Sequence, residues 1–278
     1  MTCQLCIQLF HVNGNWLSIR MPLDSRVADL KLEVDKTWQV PVVCQTLLHG
    51  TKHLVDDEKL SEYYLDVDAT LSVTMLISLK NLLEELKAKD DLTRRSMALN
   101  AFDRLGPRAG PQGVASVRAA LVEGLTCPPN GRLSDVDFKC AALETLGVIA
   151  DKTNDCVVFA AMACMTQDIW GTRSMYLREA AAKTLVTLAE RGSEHAVKAV
   201  ASKLSHTDSR VGSTAMKTLS EMAREGVQSA RLVIRNTLNH RDKNLRRLAA
   251  AAFQELVPES MECEVGSDDA PRKSQRIH

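Results

Sequence analysis

Aromatic residues are scarce: Phe, Trp and Tyr make up 4% of the 278 residues. That is thin for a β-sandwich core and ordinary for helices rich in Ala and Leu. Net charge is lacking too, with 35 Lys+Arg set against 35 Asp+Glu. A chain whose main task is nucleic-acid binding usually carries a basic excess, so nucleic acid is not the expected partner. No run of 18 apolar residues occurs, so no membrane-spanning helix is expected. The start lacks a basic stretch followed by a long apolar one, so no signal peptide is expected. No Asn-x-Ser/Thr sequon occurs. The eight cysteines lie scattered through apolar segments, where reduced thiols are the expectation. These absences place the chain in the cytoplasm, the nucleus or both.

Signatures of catalysis are missing as well. There is no Gly-x-Ser-x-Gly, no phosphate loop of Gly-x4-Gly-Lys form, no Gly-x-Gly-x-x-Gly and no His-Glu-x-x-His. Cys3 and Cys6 have half-site spacing for zinc, but a closed site needs a second pair of ligands. Strand alternation also sends these two cysteines to opposite faces. No catalytic residue, metal ligand or cofactor is expected.

What is present falls into two styles. In the first 78 residues apolar positions recur with period 2. Leu5, Ile7 and Leu9 alternate with polar neighbours, Asn13-Gly14 gives a strong hairpin signal, and Leu17, Ile19 and Met21 resume the alternation. Asp24-Ser25 can cap a helix start, and Val27, Leu30 and Val34 form one apolar stripe on that helix. Pro41 closes the region. Leu47-Leu48 reads as a third strand before a turn at Gly50-Thr51, and residues 70–75 alternate again as the last strand. This segment holds six basic and ten acidic side chains, a net of −4, so the remainder carries +4.

From Leu79 the period becomes 3.6, beginning with Leu79, Leu82, Leu83 and Leu86. Internal repetition follows. The stretch from Leu177 through Ala181 to Leu185 matches Val211 through Ala215 to Leu219, and Leu245 through Ala249 to Phe253, each at a shift of 34. Phe138 to Leu146 is an earlier copy and Leu92 to Leu105 a degenerate one, giving about five units over 79–257. Asp208 and Asp242 sit before the second helix of their units as expected caps. His206 and His240 recur with them and are expected in turn packing. The alanines mark close helix approach. A polar tail, 258–278, has few large apolar residues and reads as disordered.

These residues carry two resemblances. The order of strands and helix, Val40-Pro41 with Gln45-Thr46-Leu47-Leu48, the Gly50-Thr51 turn, Leu60-Ser61-Glu62-Tyr63-Tyr64-Leu65 and Thr70-Leu71-Ser72-Val73 together resemble ubiquitin across residues 5–80. The repeats resemble HEAT repeats. The expected fold is therefore α+β then all-α: a ubiquitin-like β-grasp domain at 1–78, then an α-solenoid of HEAT-type repeats. The resemblance implies a protein-interaction adaptor. Its repeats would hold a protein partner, and its first domain would dock to ubiquitin-system or proteasomal receptors through Val12, Leu48 and Thr74. Conjugation is not implied, because Leu79-Lys80 stands where that family has Gly-Gly.

Between Arg224 and Arg247 lie seven basic residues and two acidic ones. Arg241, Lys243, Arg246 and Arg247 are candidates for docking an acidic partner. Arg246 and Arg247 stand where the preceding unit has Gly212 and Ser213, so the fold is not expected to require them. Two alternatives stand beside the adaptor. One is a lyase-like or hydroxylase-like enzyme built on HEAT repeats, which would need acidic and histidine residues facing one groove. The other is a nucleic-acid-associated scaffold using 224–247.

Overall fold

The computed structural model describes residues 4–63, 70–88, 91–126, 133–167 and 173–256. They form two compact units, residues 1–184 and 185–278. The polar tail lies outside the described residues.

The first unit opens with β1 (Gln4–His11), β2 (Trp16–Pro22), α1 (Val27–Trp38), β3 (Gln45–His49), β4 (Lys52–His53) and β5 (Leu71–Ile77). The strands form one mixed sheet in the order β2-β1-β5-β3-β4. β1 runs parallel to β5 and antiparallel to β2, while β3 is antiparallel to both β4 and β5. The alternation decides which way each strand faces. Leu5, Ile7, Leu9, Leu47, Val73 and Met75 are all buried, as are Val27, Leu30 and Val34 of α1. Asn13-Gly14 does form the hairpin turn, with Gly14 at φ 91°, a conformation that costs glycine nothing.

The start of α1 differs from the expectation. Its first cap is Arg26, not Asp24 or Ser25, and the Asp29 carboxylate reaches back to accept the Arg26 N–H at 2.8 Å. Ser25 is instead held by its backbone, whose carbonyl accepts from Leu60 N–H. The helix ends at Trp38, two residues ahead of the Pro41 restriction, because Gln39 turns into the left-handed region at φ 54°.

Strands give way to helices at residue 78, as the change of period implies, but the compact unit continues. Leu79 leads straight from β5 into α2 (Lys80–Lys87), followed by α3 (Leu92–Leu105), a 3-10 turn (Gly106–Ala109), α4 (Gly110–Thr126), α5 (Leu133–Ile149) and α6 (Asp155–Thr166). Ties between the sheet region and these helices are specific. The Arg108 guanidinium donates to the carbonyls of Trp38 (2.6 Å) and Gln39 (2.7 Å) at the end of α1. Arg104 of α3 pairs with Asp35 of α1. Ser78 N–H donates to the Cys44 carbonyl at 2.8 Å. Deeper in the helices, Arg95 lies over the Phe138 ring and Lys139 is 1% exposed beside Asp135.

α7 (Arg173–Glu190) spans the division between units, and α8 (Glu194–Ala201), α9 (Ser209–Arg224), α10 (Gln228–Thr237) and α11 (Lys243–Leu256) complete the second unit. The first residues of α8 and α10, and of α9 and α11, are each 34 apart, the shift read from sequence. Ala181, Ala215 and Ala249 are all fully buried. Gly212 meets the preceding turn so closely that a Cβ there would lie 2.9 Å from the Leu204 carbonyl oxygen. Asp208 and Asp242 cap α9 and α11, accepting from Arg210 N–H (2.8 Å) and Asn244 N–H (2.7 Å). His206 and His240 do more than pack: each ring Nδ1 accepts the backbone N–H of its capping aspartate at 3.1 Å. Phe253, at the repeat position of Leu185 and Leu219, is 38% exposed, whereas both leucines are buried.

Candidate functional site

With odd-numbered residues of β1 turned into the core, even-numbered ones face outward. The strand register then aligns outward residues across the sheet. Phe10 stands opposite Trp16 on β2 and beside Thr74 on β5. Thr74 stands opposite Leu48 on β3, and Leu48 opposite His53 on β4. One row, Trp16–Phe10–Thr74–Leu48–His53, therefore crosses all five strands. Leu76 faces outward beside it, opposite Thr46. Val12 projects from the turn after β1. Trp16 is 65% exposed, Val12 67% and Phe10 39%, while Leu48, Thr74 and Leu76 are half-buried.

Of the sequence candidates, Leu48 and Thr74 are direct cross-strand partners, and Val12 sits past the end of the neighbouring strand. Phe10, Trp16 and Leu76 belong to the same face and were not singled out from the sequence. The signal was present: Phe10 and Trp16 fall out of phase with the buried residues of their strands. The outward positions of the described strands include Arg20 and His53 and no Asp or Glu, while Lys52, paired with His49, turns the other way and lies over the Tyr63 ring. The described acidic residues of this region lie elsewhere, among them Asp29, Glu33 and Asp35 on α1 and Asp56, Asp57 and Glu58 in one turn. The row is apolar except for Thr74 and His53 and has a sparse cationic rim.

The basic candidates are at one end of the second unit. Arg241, Lys243, Arg246 and Arg247 are all exposed. Arg246 makes a local contact: its guanidinium turns back and donates to the carbonyls of His240 (2.8 Å) and Arg241 (2.9 Å). That offsets the cost of a cation at a helix start. Arg224 pairs with Glu255, and Arg231 donates to the Ala223 carbonyl at 3.0 Å. Arg235, Arg241, Lys243 and Arg247 make no side-chain hydrogen bond or ion pair among the described residues.

Elsewhere in the first unit a groove of about 550 Å³ lies between α3, α4 and α5, lined by Leu99, Phe102, Val114 and Ile149. Asp103 sits at its edge and accepts from the Thr145 hydroxyl at 3.2 Å. Burial raises the Asp103 carboxyl, against that hydrogen bond, and nearby Glu144 raises it further. No histidine lines this groove. Among the described residues no three of His, Cys, Asp and Glu are grouped to hold a metal ion, and no helix is long and apolar enough to cross a membrane. Burial pushes the thiols of Cys44, Cys140 and Cys164 up to about 11, which keeps them protonated and poorly nucleophilic near neutrality.

The chain matches no protein-family model, and no curated protein sequence matches it.

Proposed function

We propose that the protein is a non-catalytic adaptor whose ubiquitin-like first region docks a helical partner on the outer face of its sheet, while HEAT-type repeats hold a second protein. The observation that carries this is the row Trp16–Phe10–Thr74–Leu48, apolar except for one hydroxyl and partly exposed. Strand order and the helix laid on one face support the ubiquitin-like reading, and the 34-residue shift of paired helices supports the HEAT-type one. Leu79 caps α2 and Lys80 begins it, so this reading includes no conjugation through a free carboxylate after the last strand.

The partner side is argued from complementarity. An amphipathic helix lays apolar side chains along a groove or row, with spacing i, i+3, i+4, i+7. A rim of Arg20 and His53 without carboxylates selects acidic flanks on that helix. Receptors of the ubiquitin system and proteasome are the class proposed, encountered in the cytoplasm or nucleus.

The test titrates the full-length chain with an acidic-flanked, helix-forming ubiquitin-receptor peptide, reading fluorescence anisotropy of the labelled peptide. Weak saturable binding is expected, in the range of about 10 μM to 1 mM. It should fall at least tenfold in Phe10→Asp and Trp16→Ala variants. Binding equal in wild type and both variants, or none across a panel of such peptides, would defeat the proposal. The free cations of the second unit support a secondary contact with an acidic partner, nucleic acid included; a steep salt dependence of duplex DNA binding would favour the scaffold alternative.

A further inference from the structure

The second unit presents four exposed cations with no partner among the described residues, Arg235, Arg241, Lys243 and Arg247, within thirteen residues of chain. They lie at the end of α10, in the following turn and on the first turns of α11. Lys243 and Arg247 are four apart on α11 and therefore share a face of it. The start of a helix is itself the positive end of its dipole, so the local field is more positive than the four charges alone. Among the described residues Asp242 offsets one of these charges, and Arg246 beside it restores one. The Asp242 carboxylate is already engaged by the N–H groups of Asn244 and Leu245. Asp208 and Arg210 of the neighbouring α9 pair with each other. Glu255 stands at the far end of α11 and pairs with Arg224.

The chain carries a match for this surface directly after α11. Residues 257–269 contain Glu259, Glu262, Glu264, Asp268 and Asp269 and no Lys, Arg or His. We propose that this acidic segment docks, within the same molecule, on the basic end formed by α10, the turn after it and the start of α11.

Reach permits it. α11 has 14 residues, a length of about 21 Å at 1.5 Å per residue. A chain doubling back from Leu256 gains roughly 3.3–3.6 Å per residue, so residues 262–269 span the distance from level with Lys243 to well beyond it. Tethering raises the effective concentration to about the millimolar range, enough for a contact whose individual ion pairs are each weak. Arg272, Lys273 and Arg276 further along are rival partners for the same carboxylates. The helix-borne cations are favoured because their backbone is already fixed, so less ordering entropy opposes the contact. The consequence is a self-covered surface: an outside acidic partner must displace the chain's own segment.

Carbodiimide cross-linking of the full-length chain tests this. It joins a carboxylate to a lysine amine only when the two are in contact. Monomeric product should contain peptides linking Lys243 to a carboxylate among residues 259–269, and the yield should drop severalfold in about 1 M salt, where screening acts over about 3 Å. A second form, with Glu259, Glu262 and Glu264 changed to Gln and Asp268 and Asp269 to Asn, alters nothing in α1–α11. It should show faster amide exchange at 240–247 than the wild type. Links from the acidic segment found only to Lys273, or only between two copies, would overturn the proposal. So would the absence of any Lys243 link together with unchanged exchange.

Discussion

At the scale of single residues, two aspartates explain more of the local architecture than their charge suggests. Asp242 caps α11 with its carboxylate and, through its own N–H, is held by His240 Nδ1. The unit before repeats the arrangement with Asp208 and His206. Asp242→Ala should therefore cost about 1 kcal/mol, within roughly 0.5–2, measurable as a lowered urea midpoint at unchanged slope. His240→Ala should cost a fraction of that, since it leaves the carboxylate in place. The buried thiols give a second prediction. Cys44, Cys140 and Cys164 are raised from 9.0 to about 11 by burial. Folding holds them neutral, so their contribution is fully present below pH 9 and is lost as pH rises toward 11. Urea unfolding should show stability falling between pH 9 and 11, and Cys44→Ser should shrink that fall.

The element scale shows what the sequence discloses and what it hides. Period 2 in β1 placed Leu5, Ile7 and Leu9 in the core, and the 34-residue shift with Asp208 and Asp242 placed the starts of α9 and α11. Both signals are local and periodic, so burial writes them directly into residue order. The cap of α1 was hidden because Asp24-Ser25 offers an equally good local signal, and distant backbone bonds, Leu60 to Ser25 and Val27 to Glu58 among them, set the start one residue later. Phe10 and Trp16 were hidden differently. Their strand phase was legible, but that they share a row with Thr74 and Leu48 depends on which strands are neighbours. Gly212 is another case in which the requirement is spatial. An alanine there would press its Cβ to 2.9 Å from the Leu204 carbonyl oxygen, and backbone cannot yield as a side-chain tip can. Gly212→Ala should destabilise by about 1–3 kcal/mol despite alanine's better helix propensity, read as a fall in thermal midpoint. In α11 the same position holds Arg246, whose side chain donates to the carbonyls of His240 and Arg241.

For the whole molecule, the sheet and the first helices form one compact unit up to Thr184, although period and charge both change at residue 78. No periodicity encodes that continuity. It rests on side chains such as Arg108, whose guanidinium caps the end of α1 from seventy residues away. Arg108→Ala should lower stability by roughly 1–3 kcal/mol and loosen amide protection at 36–40 more than at 142–146. The proposed adaptor function rests on the sheet's outer face. Its most direct measurement is chemical-shift mapping on the full-length, isotope-labelled chain during titration with the acidic-flanked receptor helix. The expected result is saturable shifts gathered on Phe10, Val12, Trp16, Leu48, Thr74 and Leu76. Shifts gathered on the α10–α11 end with that row unmoved, or no shifts at millimolar peptide, would contradict it.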